Sequence, residues 1–448
     1  MNITLTPIKD LAIIHLDLHG DNRGWFKENW QREKFQNLDL APLALKYFRP
    51  VQHNISFNQR PGVTRGMHAE PWNKLISLAA GEVEGAWIDL RADSPTFKTQ
   101  FHCRLSPGEA VFVPRGVANG FQALTATSYS YLVDTHWSPT AHYSFTNLDE
   151  ISWPLPVTEI SEKDRHHPPL DEALPVPNKK VLVTGADGQV ATALRRILPD
   201  AHYLTRAEFD IERPAASGID FTKYSTIINT AAYTNVDACE TDRRKAWSTN
   251  AQAVGALADI TRDYDLCLVH ISSDYVFDGD TAHPYTEMDI PSPLNVYGHS
   301  KAAGDIAAAR NPKHYIIRTS WVVGDGKNFM TTMATLARTG INPQVVGDQF
   351  GRLTFANEIA SGIVHLLHTQ APYGTYNLSN SGPVVSWYEI AQRVFSRSGH
   401  DPSRVSRCTS AEYQAVAPRP QYSVLDLAKI EATGFYPRDW QLAFEEMI

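Results

Sequence analysis

Two unlike folds in tandem are predicted for this chain: an all-β barrel or jelly roll, then an α/β doubly wound parallel sheet. Three observations predict them. The chain has 448 residues, more than one hydrophobic core organises, so two or three domains are expected. Up to about residue 160, short apolar runs alternate with turn residues, which is a strand rhythm. Beyond residue 179 strands alternate with longer helical stretches.

The strand-like runs of the first part are residues 74–78, 83–90, 99–105, 110–113 and 128–133. Gly81, Pro95, the Pro107–Gly108 pair and residues 115–120 separate them. Regular short strands so punctuated pack as a barrel or jelly roll. Pro168, Pro169, Pro175 and Pro177 then fall within residues 165–178, which lack apolar periodicity. That density predicts an extended linker. The expected boundaries are therefore 1–168 for the barrel, 169–178 for a Pro-rich linker and 179–448 for the α/β domain. In that last domain strands are expected at 179–184, near 202–205, and at 226–230, 267–272 and 314–319. Helices are expected at 189–198, 244–263 and 300–309.

Composition narrows the classes of function. Hydrophobic residues make up 43% and charged residues 20%, as in an ordinary globular protein. The formal charge of -8 comes without a Lys/Arg cluster, so nucleic acid is not an expected partner. Cys103, Cys239, Cys267 and Cys408 lie far apart, with neither metal-type nor redox-type pairing, which points to a reducing compartment. Lys9 and Asp10 precede any apolar run, and no stretch approaches a membrane span. The expectation is a cytoplasmic chain with no membrane partner.

The chemistry of the second part begins at Val181-Leu-Val-Thr-Gly185-Ala-Asp187-Gly188-Gln189-Val190-Ala191. Glycines let the backbone approach a pyrophosphate, and a helix N-terminus favours its charge. Gly185, Asp187, Gly188, Gln189 and Val190 are thus candidate dinucleotide contacts in a Rossmann-type fold. A lone glycine loop is weak evidence, but this one stands at a strand-to-helix junction, the context the motif requires. Ala191 replaces the third glycine of the usual fingerprint. The second strand ends at Arg206, where a carboxylate would grip a ribose hydroxyl and an arginine tolerates a 2′-phosphate. NADPH is the expected cofactor, with NADH the alternative. Asp210 and Ile211 either flank the adenine or form a solvated helix cap.

Tyr297 and Lys301, in Leu-Asn-Val-Tyr-Gly-His-Ser-Lys, lie four residues apart and share one helical face. A lysine there can hold a nicotinamide ribose and lower the phenol's pKa, and the tyrosine can exchange a proton with a carbonyl oxygen while hydride moves. Ser273 ends a strand at the sheet edge where ligands bind and can donate to the same carbonyl. The predicted chemistry is that of an oxidoreductase.

These residues resemble the extended short-chain dehydrogenases. The runs Asn229-Thr-Ala-Ala-Tyr-Thr-Asn-Val-Asp237, Ser273-Asp-Tyr-Val-Phe, Arg318-Thr-Ser-Trp321, Asp348-Gln349 with Gly351 and Thr354, and Arg419-Pro420 are similar to dTDP-4-dehydrorhamnose reductases. The resemblance runs from Lys179 to the C-terminus. It implies Ser273, Tyr297 and Lys301 as the catalytic trio and Ala231, Ala232 and Thr234 beside the cofactor. Trp321 and Arg419 would lie near the nucleotide-sugar. Leu353 stands where the family usually has proline, and Ala193-Leu194 replace the acidic residue of the family's metal-linked dimer contact.

The first part carries Asp21-Asn-Arg23-Gly-Trp-Phe26-Lys-Glu28, Gln52-His-Asn54-Ile-Ser56 and Gly62-Val-Thr-Arg65-Gly-Met-His68. Lys74, Asp89-Leu-Arg91 and Ser94-Pro-Thr-Phe97 follow. This order resembles dTDP-4-dehydrorhamnose 3,5-epimerases, metal-free barrels of the cupin class, over residues 1 to about 168. The resemblance implies His68 as base, Asp164 as its orienting carboxylate, Tyr131 as acid on the opposite sugar face and Lys74 as enolate stabiliser. Arg23 and Arg65 would serve the diphosphate, with Phe26, Glu28, Gln52 and Asn54 also contacting substrate. Those residue types suit the reaction. Carbons 3 and 5 flank a ketone, a histidine held by a carboxylate can take either proton, and a nearby cation steadies the enolate. No metal is expected, since His68-Ala-Glu70 lacks a second nearby histidine.

Two departures stand out: Asn119 where a histidine is common, and Gly85 where an aspartate is common. The resemblances name consecutive steps, so the expectation is a bifunctional enzyme taking dTDP-4-dehydro-6-deoxy-D-glucose to dTDP-L-rhamnose, with a homodimer through the barrel. The alternatives are epimerisation at a single carbon coupled to reduction, and a non-catalytic sugar-nucleotide-binding module.

Overall fold

The computed structural model describes residues 1–46, 48–92, 94–137, 143–177 and 179–447. It divides into two compact units, Met1–Asn178 and Lys179–Ile448. Among the described residues, no helix is long and apolar enough to cross a membrane.

The first unit is two antiparallel sheets. One runs in the order Asn2–Leu5, Ala12–His15, Glu109–Val113, Lys74–Ala80, Thr127–Val133 and Gln52–Asn58. The other runs Ser144–Phe145, Thr64–Ala69, Val117–Ala123, Val83–Asp89 and Gln100–Leu105. Ile76, Leu78, Trp87, Val111, Val117, Phe121 and Tyr129 belong to one buried cluster, the inward face that strand alternation creates. Gly81 makes the turn joining Lys74–Ala80 to Val83–Asp89. Its φ is +87°, and a Cβ there would lie 2.3 Å from the Ala126 carbonyl oxygen, so only glycine fits.

Two expectations need correction here. Residues 115–120 are not all punctuation, because Val117–Ala123 is a strand buried along its whole length. Small residues allow this: a Cβ on Gly120 would lie 2.5 Å from the Met67 sulfur and 2.7 Å from the Arg65 carbonyl. Tertiary packing overrides the weak strand preference of Ala-Asn-Gly. Residues 169–177 are also no free spacer. Leu170, Ala173 and Val176 are buried with Met67, Ile88 and Ala118, and the Val176 N–H donates to Leu90 O at 2.7 Å. The prolines exclude helix without preventing packing. Asn178, the last residue of the expected linker, lies outside the described residues.

The second unit holds a six-stranded parallel sheet in the order His202–Leu204, Lys180–Thr184, Tyr224–Asn229, Cys267–Ser273, His314–Thr319 and Gly374–Asn377. Helices Gln189–Ile197 and Ala356–His368 pack on each other through Val190, Leu194, Ile359 and Ile363. Ala253–Asp263 and Val296–Ala308 form a second pair, with Val254, Leu257 and Ala308 buried together. A smaller cluster joins helices Phe329–Arg338, Trp387–Arg397 and Trp440–Met447 around Met330, Val394 and Trp440.

The helix expected at 244–263 is broken into three pieces. Arg243–Trp247 passes through a wide π turn, Ser248–Gln252, into Ala253–Asp263. That turn carries Asn250, whose side chain bonds the Tyr233 backbone at 2.8 and 3.0 Å and Ser300 Oγ at 3.0 Å. The Asn250 carbonyl abuts the next helix so closely that a Cβ on Gly304 would lie 2.2 Å from it. Gly304→Ala is therefore expected to destabilise the second unit by about 1–3 kcal/mol through overpacking. An exposed helical glycine would instead gain from alanine. The unfolding transition of the second unit reads the sign directly.

Candidate functional sites

In the barrel unit, strand Thr64–Ala69 carries His68 to the wall of a pocket of about 470 Å³. His68 Nε2 meets Asp164 Oδ1 at 2.9 Å. Asp164 is held by a short helix, Glu162–Arg165, whose N-cap Ser161 Oγ accepts from its N–H at 3.1 Å. Burial raises the Asp164 pKa, but the hydrogen bond and charge of His68 and the Gly66 N–H outweigh it and hold the carboxyl below its usual range.

Across the pocket, Lys74 Nζ pairs with Glu70, reaches Asn119 Oδ1 at 3.4 Å and sits 4.8 Å from the Tyr131 ring centroid. Burial, reinforced by Glu70, raises the Tyr131 phenol, with Arg65 opposing. Asn119 donates to Glu70 Oε2 at 3.0 Å and to His68 O at 2.8 Å. Thus the Asn119 departure sits inside the pocket, tied to Glu70 and Lys74. The Gly85 departure has another cause, since a Cβ there would lie 2.5 Å from the Trp87 ring. It is a packing position.

The structure brings His68, Lys74, Tyr131, Asp164 and Arg65 to one pocket. It does not bring all the substrate candidates there. Arg23 pairs with Asp21 on the hairpin His19–Asp21/Gly24–Phe26, Phe26 is 66% exposed and Glu28 pairs with Lys34. Gln52 bonds Asn54 at 2.9 Å on an edge strand opposite Tyr131, beside the pocket and not among its lining residues. Sequence reasoning missed Glu70 and His167. Among the described residues, His68, Asp164 and His167 are one group whose ligand atoms all lie within 4.8 Å of one another. The paired histidines after Asp164 were the available signal.

In the second unit, Gly185 turns with φ +70°, and a Cβ on it would lie 2.9 Å from Ala231 N. Gly188 caps helix Gln189–Ile197 with no side-chain hydrogen bond. A bare helix start beside a backbone cradle fits a pyrophosphate. Val190 and Ala191 pack into the core behind it. Asp187, Arg206 and Thr234 are exposed, and Ala231 and Ala232 are half-buried. Asp210 Oδ1 accepts from Glu212 N at 3.1 Å, while Ile211 is committed to the core with Leu204 and Phe209. That geometry is a turn cap over a core residue.

The Tyr–Lys helix, Val296–Ala308, starts four residues earlier than expected, because Asn295 caps it by accepting from Gly298 N at 2.7 Å. Tyr297 interacts with Ser273 and packs edge-on against Tyr275, ring centroids 5.8 Å apart. Lys301 is 1% exposed and donates to Ile271 O at 2.5 Å, with His270 Nε2 at 3.3 Å. Burial pushes it down to about 8.

The expected lowering of the phenol is not realised in this geometry. Burial pushes the Tyr297 phenol well above its usual range, the Ser273 hydrogen bond opposes it, and Asp274 raises it further. Desolvation outweighs any influence of an ammonium already engaged with a carbonyl. Arg419 pairs with Asp237 at 3.0 Å and interacts with Tyr275. Trp321, at φ +45°, stacks on Trp387 at 3.8 Å. Leu353 is fully buried.

A strand–glycine loop–helix opening a parallel sheet, with serine, tyrosine and lysine gathered at its edge, defines the extended short-chain dehydrogenase class. The barrel ahead of it is of the cupin type. Residues 179–448 match the family described as RmlD substrate binding domain, and residues 5–172 match dTDP-4-dehydrorhamnose 3,5-epimerase. The chain belongs to the RmlD substrate binding domain family, fused behind an epimerase-family domain. It is 38% identical over 288 residues to a dTDP-4-dehydrorhamnose reductase of Aggregatibacter actinomycetemcomitans, covering 60% of this chain and 98% of that protein. A crystal structure of such a reductase from Clostridium acetobutylicum has 34% identity and a TM-score of 0.57, covering 60% of this chain and 97% of that one. One from Bacillus anthracis in complex with NADP has 33% identity and a TM-score of 0.57, covering 60% and 98%.

Proposed function

We propose that the chain is a bifunctional enzyme that epimerises dTDP-4-dehydro-6-deoxy-D-glucose at carbons 3 and 5 and reduces the 4-keto product with NADPH to dTDP-L-rhamnose. The observation that carries this reading is the match of each unit to a family of consecutive chemistry. In the barrel, His68 removes the proton, Asp164 orients it, Lys74 steadies the enolate and Tyr131 returns a proton from the other face. In the second unit, Tyr297 protonates the carbonyl oxygen beside Ser273, and Lys301 holds the cofactor ribose. The glycine loop from Gly185 to Val190 would hold the pyrophosphate of NADPH and Arg206 its 2′-phosphate, and the bound cofactor would supply the hydride. Trp321 and Arg419 face the nucleotide-sugar. A homodimer through the barrel would add Arg23, Phe26 and Glu28 from a second copy, consistent with their distance from the pocket. The free cysteines fit a cytoplasmic protein.

Incubation with the 4-keto-6-deoxyglucose nucleotide should oxidise NADPH faster than NADH, and NMR should identify the L-rhamnose product. Arg206→Ala should narrow the cofactor preference. Absence of NADPH oxidation would refute the joint reading. A second reading, epimerisation at one carbon, rests on Asn119, which stands in the pocket where a histidine is common, and would appear as a different deoxysugar in the same spectrum.

A further inference from the structure

Three residues past Asp164 the chain places a second imidazole beside the first. The His167 side chain is 6% exposed and its Nε2 lies 3.9 Å from Asp164 Oδ1. Its ring centroid is 5.3 Å from that of His68, and it stacks on Phe145 at 4.7 Å. The Thr146 backbone lies beside the ring, yet neither ring nitrogen has a hydrogen-bond partner of normal geometry. An imidazole so placed, beside Asp164 and the Thr146 backbone without a hydrogen bond of normal geometry, keeps a ring lone pair available to a ligand.

We propose that His68, Asp164 and His167 form a three-ligand site for a zinc-type divalent cation, and that its occupation silences the barrel's epimerase chemistry. A tetrahedral ion with bonds of about 2.0–2.2 Å wants donors roughly 3.3–3.6 Å apart. The two separations here, 2.9 Å from His68 and 3.9 Å from His167 to the same carboxylate oxygen, bracket that value. Two imidazoles and one carboxylate suit zinc, whereas calcium and magnesium want more oxygen ligands. His68 and Asp164 line the pocket, which leaves the fourth corner open to water.

The silencing half rests on the proposed role of His68 as base. With Asp164 accepting from Nε2–H, the lone pair that takes a substrate proton is on Nδ1. An ion on Nε2 takes that nitrogen's lone pair, and the ring's one N–H then sits on Nδ1. The proton count is unchanged, but the ring has no lone pair left to accept with.

Co2+ titrated into the chelator-treated full chain should develop the visible bands of four-coordinate cobalt at one equivalent, and Zn2+ should abolish them. His167→Ala should weaken this binding by about tenfold or more, with His167→Gln as the second variant if alanine disturbs folding. Zn2+ should stop solvent deuterium entry into the sugar while NADPH oxidation on preformed 4-keto-L-rhamnose nucleotide continues. Equal Co2+ affinity in wild type and both His167 variants overturns the site. Stoichiometric binding with undiminished exchange overturns the silencing. If exchange is absent even without metal, the reading of His68 fails instead, and the cobalt titration still decides the site.

Discussion

Replacing Tyr297 by phenylalanine is expected to lower the rate of NADPH oxidation by about a hundred- to ten-thousand-fold, the usual contribution of a positioned acid. That corresponds to about 3–5 kcal/mol of barrier. Burial raises the Tyr297 phenol above its usual range, so it holds its proton until a carbonyl oxygen gains charge beside it. Phenylalanine keeps the edge-on packing against Tyr275 and removes only the hydroxyl. The loss should therefore fall on turnover more than on substrate affinity, and deuterium exchange by the barrel should be untouched. If stopped-flow absorbance shows hydride transfer at the wild-type rate, Tyr297 is not the acid.

The second large effect belongs to the barrel. His68→Ala should suppress solvent deuterium incorporation by about a hundred- to ten-thousand-fold, while reduction of preformed 4-keto-L-rhamnose nucleotide continues. It also leaves Asp164, only 8% exposed at its side chain, without its imidazole partner, and an unpaired buried carboxylate is destabilising. Circular dichroism on the same sample separates loss of the base from loss of the fold. Exchange at the native rate in a folded variant would dismiss His68 as the base.

Much of this architecture was legible because strand and helix leave different periods. The parallel sheet could be read from apolar runs such as 267–272, and the Tyr–Lys pair from a spacing of four. What escaped was decided by contacts distant in sequence. Val117–Ala123 looks like a loop until Gly66 and Gly120 are seen to let two backbones approach. Residues 169–177 look like a spacer because proline density is local information, whereas the burial of Leu170 and Val176 depends on the barrel they meet. Glu70 and His167 were passed over although their partners, Lys74 and Asp164, stand only four and three residues away, because neither short spacing carries a motif of its own. The tyrosine's acidity was misjudged because spacing reports proximity and says nothing of desolvation.

The wide turn at Ser248–Gln252 has a bearing on how such a protein could change its sugar. Through Asn250 it bolts the Tyr233 backbone to Ser300 and seats a carbonyl against Gly304, so the helix that carries Tyr297 and Lys301 is fastened to its neighbours along one side. New specificity has little room to arise there. The Trp321–Trp387 stack lies outside that bonded set, so exchanges there leave the Tyr–Lys helix seated.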